Sequence, residues 1–355
     1  MKSPEFWWKS SISVYALILW PFSFIYGLLT GLRMQKKGTR VDIPVFCIGN
    51  FILGGAGKTP TALTLCRALE EQGYRCAFLS RGYGGNLSGP VLVERTIHKA
   101  IDVGDEPLLL SGHAMTVVSK DRVAGARLCE QLGADLIIMD DGMQNPSLHK
   151  DFTLAIWDGN RGCGNNMCFP AGPLRAPLKQ QIKVTDAVLV VKPQGIKGET
   201  YTDITKCPQF RFMPEFSGKL IPDEKICLSL KGRKLLAFAG IGYPEKFYDT
   251  LLSCGAELIK TYNFNDHHPY SLQELMLLVQ KAQQLDCEIF TTTKDYVRIC
   301  NVLSDSEKLK LFQVLPVTLI CDQKEKLLDM IHKKFIEKEN NNPFLKNKMK
   351  IEGNC

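Results

Sequence analysis

The feature that most constrains this chain is a glycine-rich segment, Gly54-Gly55-Ala56-Gly57-Lys58-Thr59. It follows an apolar run at residues 43–48 that predicts a β-strand, and it precedes a helical pattern at residues 60–72. A P-loop has this position between a strand and a helix, where its backbone N–H groups surround phosphates. The segment therefore predicts a nucleotide-binding loop, although a glycine-rich turn that only joins a strand to a helix would have a similar composition.

Two side chains of this loop are expected to act on the nucleotide directly. The Lys58 ammonium would reach the β- and γ-phosphates, and the Thr59 hydroxyl would ligate Mg²⁺. The complete pattern, G-x-x-x-x-G-K-[ST], requires glycine at position 52, where this chain has Ile52. We therefore expect a variant P-loop that binds ATP with Mg²⁺ through residues 54–59, with Lys58 also acting in catalysis.

A second motif places two carboxylates after the apolar run at residues 136–139. Asp140 and Asp141 would stand at the C-terminal end of a strand, which is where an open α/β sheet binds its ligands. A magnesium–nucleotide site needs hard oxygen ligands opposite the phosphates. Together with Thr59, these two aspartates are the predicted metal ligands.

Short β-branched runs alternate with helical stretches along most of the chain. Strands are predicted at residues 43–48, 75–79, 115–118, 136–139, 152–157 and 187–191, with helices that include 60–72 and 122–132. This alternation predicts a P-loop NTPase-like, doubly wound α/β sheet. Beyond a Pro- and Lys-rich stretch at 192–224, a second series at 235–292 predicts a smaller C-terminal α/β domain.

Length and composition agree with a folded protein of two domains, or of one large α/β unit with additions. The chain has 355 residues, whereas one domain has roughly 100–200. Its 45% apolar and 23% charged residues exclude a disordered chain, a collagen-like fibre and a multispan membrane protein. Thirteen cysteines at irregular spacings, with no C-x-x-C, argue against structural zinc and favour a reducing cytosol over a secreted disulfide framework.

The N-terminus carries a long apolar stretch next to clustered positive charge. Between Lys9 and Arg33 lie 23 residues without a charge, which as a helix would measure about 34 Å. Such a helix could span a bilayer, but Pro21 and its dispersed aromatic residues also suit a helix in the headgroup region. A buried core helix is a further alternative, while a cleaved signal peptide is disfavoured because no A-x-A site follows.

These observations divide the chain into four expected parts. Residues 1–40 are a membrane-associating segment with an N-terminal hydrophobic helix, residues 41–220 the P-loop core, residues 221–332 the smaller α/β domain, and residues 333–355 a polar tail. The basic run between Arg33 and Arg40 would keep the core on the cytoplasmic side of a membrane. Positive charge confined to the N-terminus does not indicate a nucleic-acid partner.

Several motifs in a fixed order point to a particular kinase family. They are IGNFILGGAGKTP (48–60), SRGYGG (80–85), GDEP (104–107), DDGMQ (140–144), FPAGPLRAP (169–177), DHH (266–268) and TTTKD (291–295). In combination they resemble the tetraacyldisaccharide 4′-kinase, or lipid A 4′-kinase, family from the N-terminal helix to about residue 330. The resemblance implies ATP-dependent phosphorylation of the 4′-hydroxyl of a tetraacylated glucosamine disaccharide 1-phosphate at the cytoplasmic face of the bacterial inner membrane. Beyond this membrane lipid and the membrane surface, no obligate protein partner is expected.

The same resemblance implies roles for residues outside the P-loop. Asp105 and His267 would form a pair that activates the sugar hydroxyl, and Arg81, Arg122 and Arg175 could bind nucleotide or lipid phosphate. Taken alone, Asp105 could equally cap the following helix, and His267 precedes a helix-capping segment. Without the resemblance, each arginine would be interpreted as an ordinary surface charge.

The chain also departs from the family pattern. The family usually has glutamate where Ala176 and Thr293 stand, and phenylalanine and histidine where Met143 and Asn145 stand. The loss at position 176 removes one proposed metal-side carboxylate, yet we expect activity to be retained with altered metal affinity.

A P-loop switch or partitioning ATPase is a rival hypothesis that Leu53 weakens, because such loops carry lysine there. A non-catalytic membrane scaffold is another.

Overall fold

Two β-sheets organise the chain in the computed structural model, which describes residues 4–9, 11–55, 57–192, 204, 207–303 and 305–341. The strands of the larger sheet are β1 (Val45–Asn50), β2 (Cys76–Ser80), β3 (Val91–Leu92), β4 (Met115–Val118), β5 (Leu136–Asp140), β6 (Phe152–Asp158), β7 (Ala187–Lys192), β8 (Glu215–Pro222) and β13 (Val317–Cys321). Their order is β13-β8-β7-β6-β1-β5-β2-β4-β3. Only the two pairings at the edges, β13 with β8 and β3 with β4, are antiparallel among the described strands.

The helices are α1 (Val14–Met34), α2 (Lys58–Glu70), α3 (Ala100–Val103), α4 (Asp105–Leu110), α5 (Arg122–Gln131), α6 (Leu178–Lys183), α7 (Glu224–Ser229), α8 (Pro244–Ser253), α9 (Leu272–Gln284), α10 (Thr293–Val302), α11 (Ser306–Leu309) and α12 (Lys324–Asn341). Helices α2 and α12 pack on one face of the larger sheet, and α5 and α6 pack on the other. Strands β1, β5 and β6 are buried along their whole length, as expected for parallel strands covered on both faces. The predicted doubly wound α/β fold is confirmed.

The smaller sheet lies in the C-terminal part of the chain and is entirely parallel. Its strands are β9 (Lys234–Ala239), β10 (Glu257–Asn263), β11 (Glu288–Thr291) and β12 (Phe312–Val314), in the order β10-β9-β11-β12. Helix α8 packs on one face, and α9 and α10 pack on the other. A disulfide between Cys227 and Cys254 joins α7 to the residue that follows α8.

After β12 the chain returns to the larger sheet, which differs from the expected division. Strand β13 pairs with β8, and α12 covers the larger sheet with Leu327, Leu328, Ile331 and Phe335. Residues 317–332 were expected in the smaller domain, and residues 333–341 in a polar tail. The apolar stripe of α12 explains the difference, because its spacing of three and four residues buries one face of a helix. Residues 342–355 of the expected tail lie outside the described residues.

The stretch at 192–224, expected to connect the two domains, contains β8. Residues 193–203, 205 and 206 lie outside the described residues. Strand β8 pairs with β7 on one side and β13 on the other, so it extends the larger sheet.

Helix α1 lies on the surface of the larger α/β unit, so it is not a buried core helix. The side of α1 that contacts the larger unit carries small residues. The Ser23 hydroxyl donates to the Cys168 carbonyl at 2.7 Å, and Gly27 and Gly31 face Cys168 and Pro177. Twelve apolar or aromatic side chains between Ile12 and Leu32 are more than half exposed. By length and composition, α1 could cross a membrane.

Candidate active site

The P-loop connects β1 to α2, as its sequence predicts. Gly57 precedes α2 in a left-handed conformation with φ of 90°, which glycine adopts without strain. Lys58 is buried, and its Nζ donates to Asn50 Oδ1 at 3.3 Å and lies 3.8 Å from Asp141 Oδ1. Burial lowers the pKa of Lys58, and the Asp141 charge opposes that shift. Ala56 lies outside the described residues.

Asp140 and Asp141 lie at the end of β5, beside Lys58. Asp141 Oδ1 accepts from Arg175 Nη1 at 2.8 Å, and although burial favours its neutral form, the Arg175 and Lys58 charges hold its pKa well below the usual range. Asp140 Oδ1 is buried without a hydrogen-bond partner in the described part of the chain. Burial, and then the charges of Glu106 and Asp141, raise the pKa of Asp140 to about 7.

The unpartnered Asp140 oxygen fits a cation, since a buried carboxylate oxygen is costly unless it is paired. Thr59 is buried in the first turn of α2, and both residues line the same cavity. No group of three or more His, Cys, Asp or Glu side chains suited to a metal occurs among the described residues. Mg²⁺ at this point would therefore depend on phosphate oxygens and water for much of its coordination. Ala176, where the family has glutamate, is fully buried.

The three predicted arginines line this cavity as well. Arg175 Nε donates to the Ile52 carbonyl at 2.9 Å, so Arg175 ties the P-loop to Asp141. Arg122 begins α5 and is 2% exposed, with Nε and Nη1 buried and unpartnered within the described structure. Burial lowers the pKa of Arg122 to about 10. Arg81 is exposed at the cavity edge.

Asp105 and His267 are in contact although 162 positions separate them. Asp105 is the first residue of α4, and His267 follows β10 in a left-handed conformation with φ of 57°. His267 Nδ1 lies 3.1 Å from Asp105 Oδ1. If the ionised carboxylate accepts from Nδ1–H, Nε2 is left free to take a proton. The residue that caps α4 is Gly104, and Asp105 directs its carboxylate to the histidine.

The charges around this pair shift both titrations. Burial favours the neutral form of Asp105, but the hydrogen bond to His267 and the Arg298 charge hold its pKa well below the usual range. Burial lowers the pKa of His267, but the hydrogen bond and charge of Asp105 raise it by more, so the net shift is upward.

Arg298 is a residue that the sequence did not single out. It is 7% exposed, and its Nε donates to Asp105 Oδ2 at 2.9 Å. Its Nη1 donates to Asp295 Oδ1 at 2.7 Å and to the Gly240 carbonyl at 2.8 Å. Arg298 therefore fixes Asp105 of the larger unit to the smaller sheet. Its only sequence signal is that it lies four positions after Lys294, the lysine of the TTTKD segment.

These groups, apart from Asp105 and Arg298, line one cavity of about 680 Å³ between the two sheets. The P-loop, Asp140, Asp141 and the three arginines come from the larger unit, and His267 comes from the smaller one. Glu106, Lys246 and Lys294 also line the cavity, and sequence reasoning gave them no role.

Comparison with known proteins identifies the family. The sequence profile described as tetraacyldisaccharide-1-P 4′-kinase matches residues 15–336. The chain belongs to this family. A tetraacyldisaccharide 4′-kinase of a Methylobacterium species is 48% identical over 299 residues, which are 84% of this chain and 89% of that protein. One from a Bradyrhizobium species is 42% identical over 347 residues, 97% of this chain and 98% of that protein.

A solved structure extends the similarity to the fold. The LpxK protein of Aquifex aeolicus, crystallised in complex with ATP, superposes with a TM-score of 0.68 at 26% identity. The superposition covers 90% of this chain and 99% of that one. The predicted family, P-loop fold and lipid A 4′-kinase activity, with ATP and Mg²⁺ as its cofactors, are confirmed at the level of the family.

Proposed function

We propose that this chain transfers the γ-phosphoryl group of ATP to the 4′-hydroxyl of a tetraacylated glucosamine disaccharide 1-phosphate with the residues of the inter-sheet cavity. The observation that carries this assignment is the joint placement, in one cavity, of the P-loop lysine and of His267, which Asp105 contacts. A P-loop alone would serve hydrolysis or a switch equally well. A hydrogen-bonded imidazole beside it supplies a base for an alcohol acceptor.

The P-loop holds and polarises the nucleotide in this proposal. Backbone N–H groups of residues 54–59 surround the phosphates at the N-terminus of α2. Lys58 contacts the β- and γ-phosphates in place of its present partners Asn50 and Asp141. Arg175, Arg122 and Arg81 offer further cations to nucleotide or lipid phosphate.

Thr59, Asp140 and Asp141 would hold Mg²⁺, with the unpartnered oxygen of Asp140 as the group that most needs a cation. When bound, Mg²⁺ would neutralise the charge on the β- and γ-phosphate oxygens. Asp141 already faces Lys58 and Arg175, so its carboxylate also keeps both cations aligned beside the loop.

His267 acts as the general base. Its Nε2 takes the proton of the 4′-hydroxyl as the oxygen forms its bond to the γ-phosphorus, while the bond between that phosphorus and the bridging oxygen of ADP breaks. Asp105 orients the ring and stabilises the imidazolium that results. Arg298 in turn keeps Asp105 ionised and fixed.

Helix α1 is proposed to bring the enzyme to its lipid at the cytoplasmic face of the inner membrane. Its exposed side is apolar, whereas its docked side contacts the segment that leads to Arg175. Arg33, Lys36, Lys37 and Arg40 follow at its end, where they would meet anionic headgroups. Since α1 is on the surface, membrane insertion can cover the apolar side chains that the protein leaves exposed.

The test is to incubate the detergent-solubilised protein with γ-labelled ATP, Mg²⁺ and a tetraacylated disaccharide 1-phosphate. We expect label in the lipid phase, on the sugar that carries the free 4′-hydroxyl. A lipid with its 4′-hydroxyl methylated is the matched control and should stay unlabelled. Label released only as inorganic phosphate would contradict the proposal and favour a hydrolase or switch.

A further inference from the structure

Lys294, a residue of the smaller unit, lines the same cavity as the P-loop lysine. It lies in the first turn of α10, and its side chain is 26% exposed. Its Nζ forms an ion pair with Glu106 of α4, and both residues line the same cavity as Lys58 and His267. The proposed function leaves this lysine of the TTTKD motif without a role.

The carboxylates that act on Lys294 are those on either side of the expected path of the phosphoryl group. Besides Glu106, they are Asp105, which orients the proposed base, and Asp140, on the proposed metal side. Burial lowers the pKa of Lys294, but these carboxylates raise it by more, so the ammonium keeps its proton. Lys294 is therefore a permanent cation in the cavity that Lys58 and His267 also line.

The partner of Lys294 is also influenced by the P-loop. Glu106 is in contact with Lys294, and the charge of Lys58 acts on the same carboxylate. Two other cavity cations are also paired, because Arg175 donates to Asp141 and Ile52, and Lys246 donates to Asp158 at 2.8 Å. An anionic phosphoryl group between the two lysines would offer Lys294 a new acceptor without removing it from Glu106.

We propose that Lys294 is a catalytic residue whose Nζ donates to the oxygens of the γ-phosphoryl group during its transfer. This inference rests on the proposed function. The phosphorus–oxygen bond to ADP breaks, the bond to the 4′-oxygen forms, the hydroxyl proton goes to His267, and Lys294 stays protonated throughout. Because Lys294 belongs to the smaller sheet, the charge needed for transfer is complete only when both sheets face the nucleotide.

The experiment compares Lys294→Met with the parent in the full-length, detergent-solubilised protein. We expect kcat to fall by roughly 10²–10³-fold, the effect of removing one preorganised donor from a transition state. Binding of ADP and of ATP should change by less than about threefold, since Lys58 and the loop hold the nucleotide. Binding of ADP with Mg²⁺ and aluminium fluoride, which mimics the phosphoryl group in flight, should weaken by a factor similar to the loss in kcat.

Lys310→Met is the matched control, because Lys310 pairs with Glu307 in the same part of the chain but is 71% exposed. It should match the parent in every assay. If Lys294 only neutralises Glu106, the double variant Lys294→Met/Glu106→Gln would regain the activity that Lys294→Met loses, and this would overturn the inference. An unchanged kcat, or equal losses of ADP and ADP–aluminium fluoride binding, would also overturn it. If the parent itself leaves the lipid unlabelled, the proposed function fails instead.

Discussion

Most charged side chains in the cavity already face an opposite charge before a nucleotide arrives. Lys58 and Arg175 face Asp141, Lys246 faces Asp158, and Lys294 faces Glu106. These pairs hold long side chains in place, so fewer rotamers are lost on binding. Asp140 differs, because one of its oxygens has no partner in the described chain. The paired cations are therefore preorganised for phosphate, and the Asp140 oxygen is suited to binding a cation.

The first prediction concerns Lys58, whose charge faces the phosphates. Lys58→Met keeps the volume of the buried stem but removes the ammonium, so we expect a loss in kcat of roughly 10²-fold or more. The thermal unfolding midpoint should stay within a few degrees of the parent, since Arg175 still faces Asp141. Near-normal turnover by the folded variant would contradict the P-loop assignment.

The second prediction concerns the pH dependence that Asp105 and His267 impose. The pKa of His267 is raised, and protonation of His267 removes the base. We therefore expect kcat/KM to fall as the pH is lowered, with this acid limb beginning at a higher pH than an ordinary histidine would give. Asp105→Asn removes the charge that stabilises the imidazolium, so this limb should move to lower pH. Rates measured between pH 5 and 9 would show the shift.

The size of the loss in kcat provides a separate check on the Asp105–His267 pair. Asp105→Ala and His267→Ala should each lower kcat by roughly 10²–10⁴-fold, and the double variant should be little slower than the slower single one, because the two act as a unit. Nucleotide binding should hardly change. Fully additive losses, with the acid limb retained in His267→Ala, would assign the proton to another acceptor.

Local sequence predicted part of this site and could not predict the rest. Lys58, Asp140 and Asp141 follow from position alone, because the ends of parallel strands meet at one edge of a sheet. The contact between Asp105 and His267 joins two sheets across 162 positions, and only resemblance to a family pointed to it. Arg298 carries no motif of its own, so its bond to Asp105 appears only in the fold.

At the scale of elements, strands and helices with strong patterns were predicted and edge elements were not. Strand β4 has the predicted bounds, and β5 differs by one residue. Strands β3, β8 and β13 lie at or near the edges, where alternating or partial burial gives a weak apolar signal. Helix α12 was missed because lysines surround its apolar stripe.

The third prediction tests the placement of α12. Phe335 is fully buried in the core of the larger sheet, so Phe335→Ala should lower the free energy of unfolding by about 3–5 kcal/mol. Ile336 is the next residue and is 50% exposed, so Ile336→Ala should cost less than about 1 kcal/mol. Chemical denaturation of both variants measures the difference. Equal costs would show that α12 does not cover the sheet as described.

At the scale of the whole molecule, the two sheets are joined through the site itself. Arg298 connects Asp105 to Asp295 and Gly240, and Lys246 of α8 reaches the buried Asp158 at the end of β6. Helix α1 docks against the segment that carries Arg175. Helix α1 and the smaller sheet therefore both contact segments that carry residues of the cavity or of the Asp105–His267 pair.

The last prediction separates these two roles of the N-terminus. Deleting residues 1–40 should release much of the protein from membranes, because the exposed apolar side of α1 is lost. ATP binding should persist, since the P-loop rests on β1 and α2, but use of the lipid should become poor.

Ile18→Glu/Ile25→Glu is the matched variant: both side chains are more than half exposed, so it weakens insertion while Ser23 and Gly27 stay docked. If α1 acts only as an anchor, this variant should equal the deletion in kcat on lipid dispersed in detergent. A lower kcat for the deletion alone would show that the docked side also supports the Arg175 segment, and full membrane retention of the deleted protein would place the anchor elsewhere.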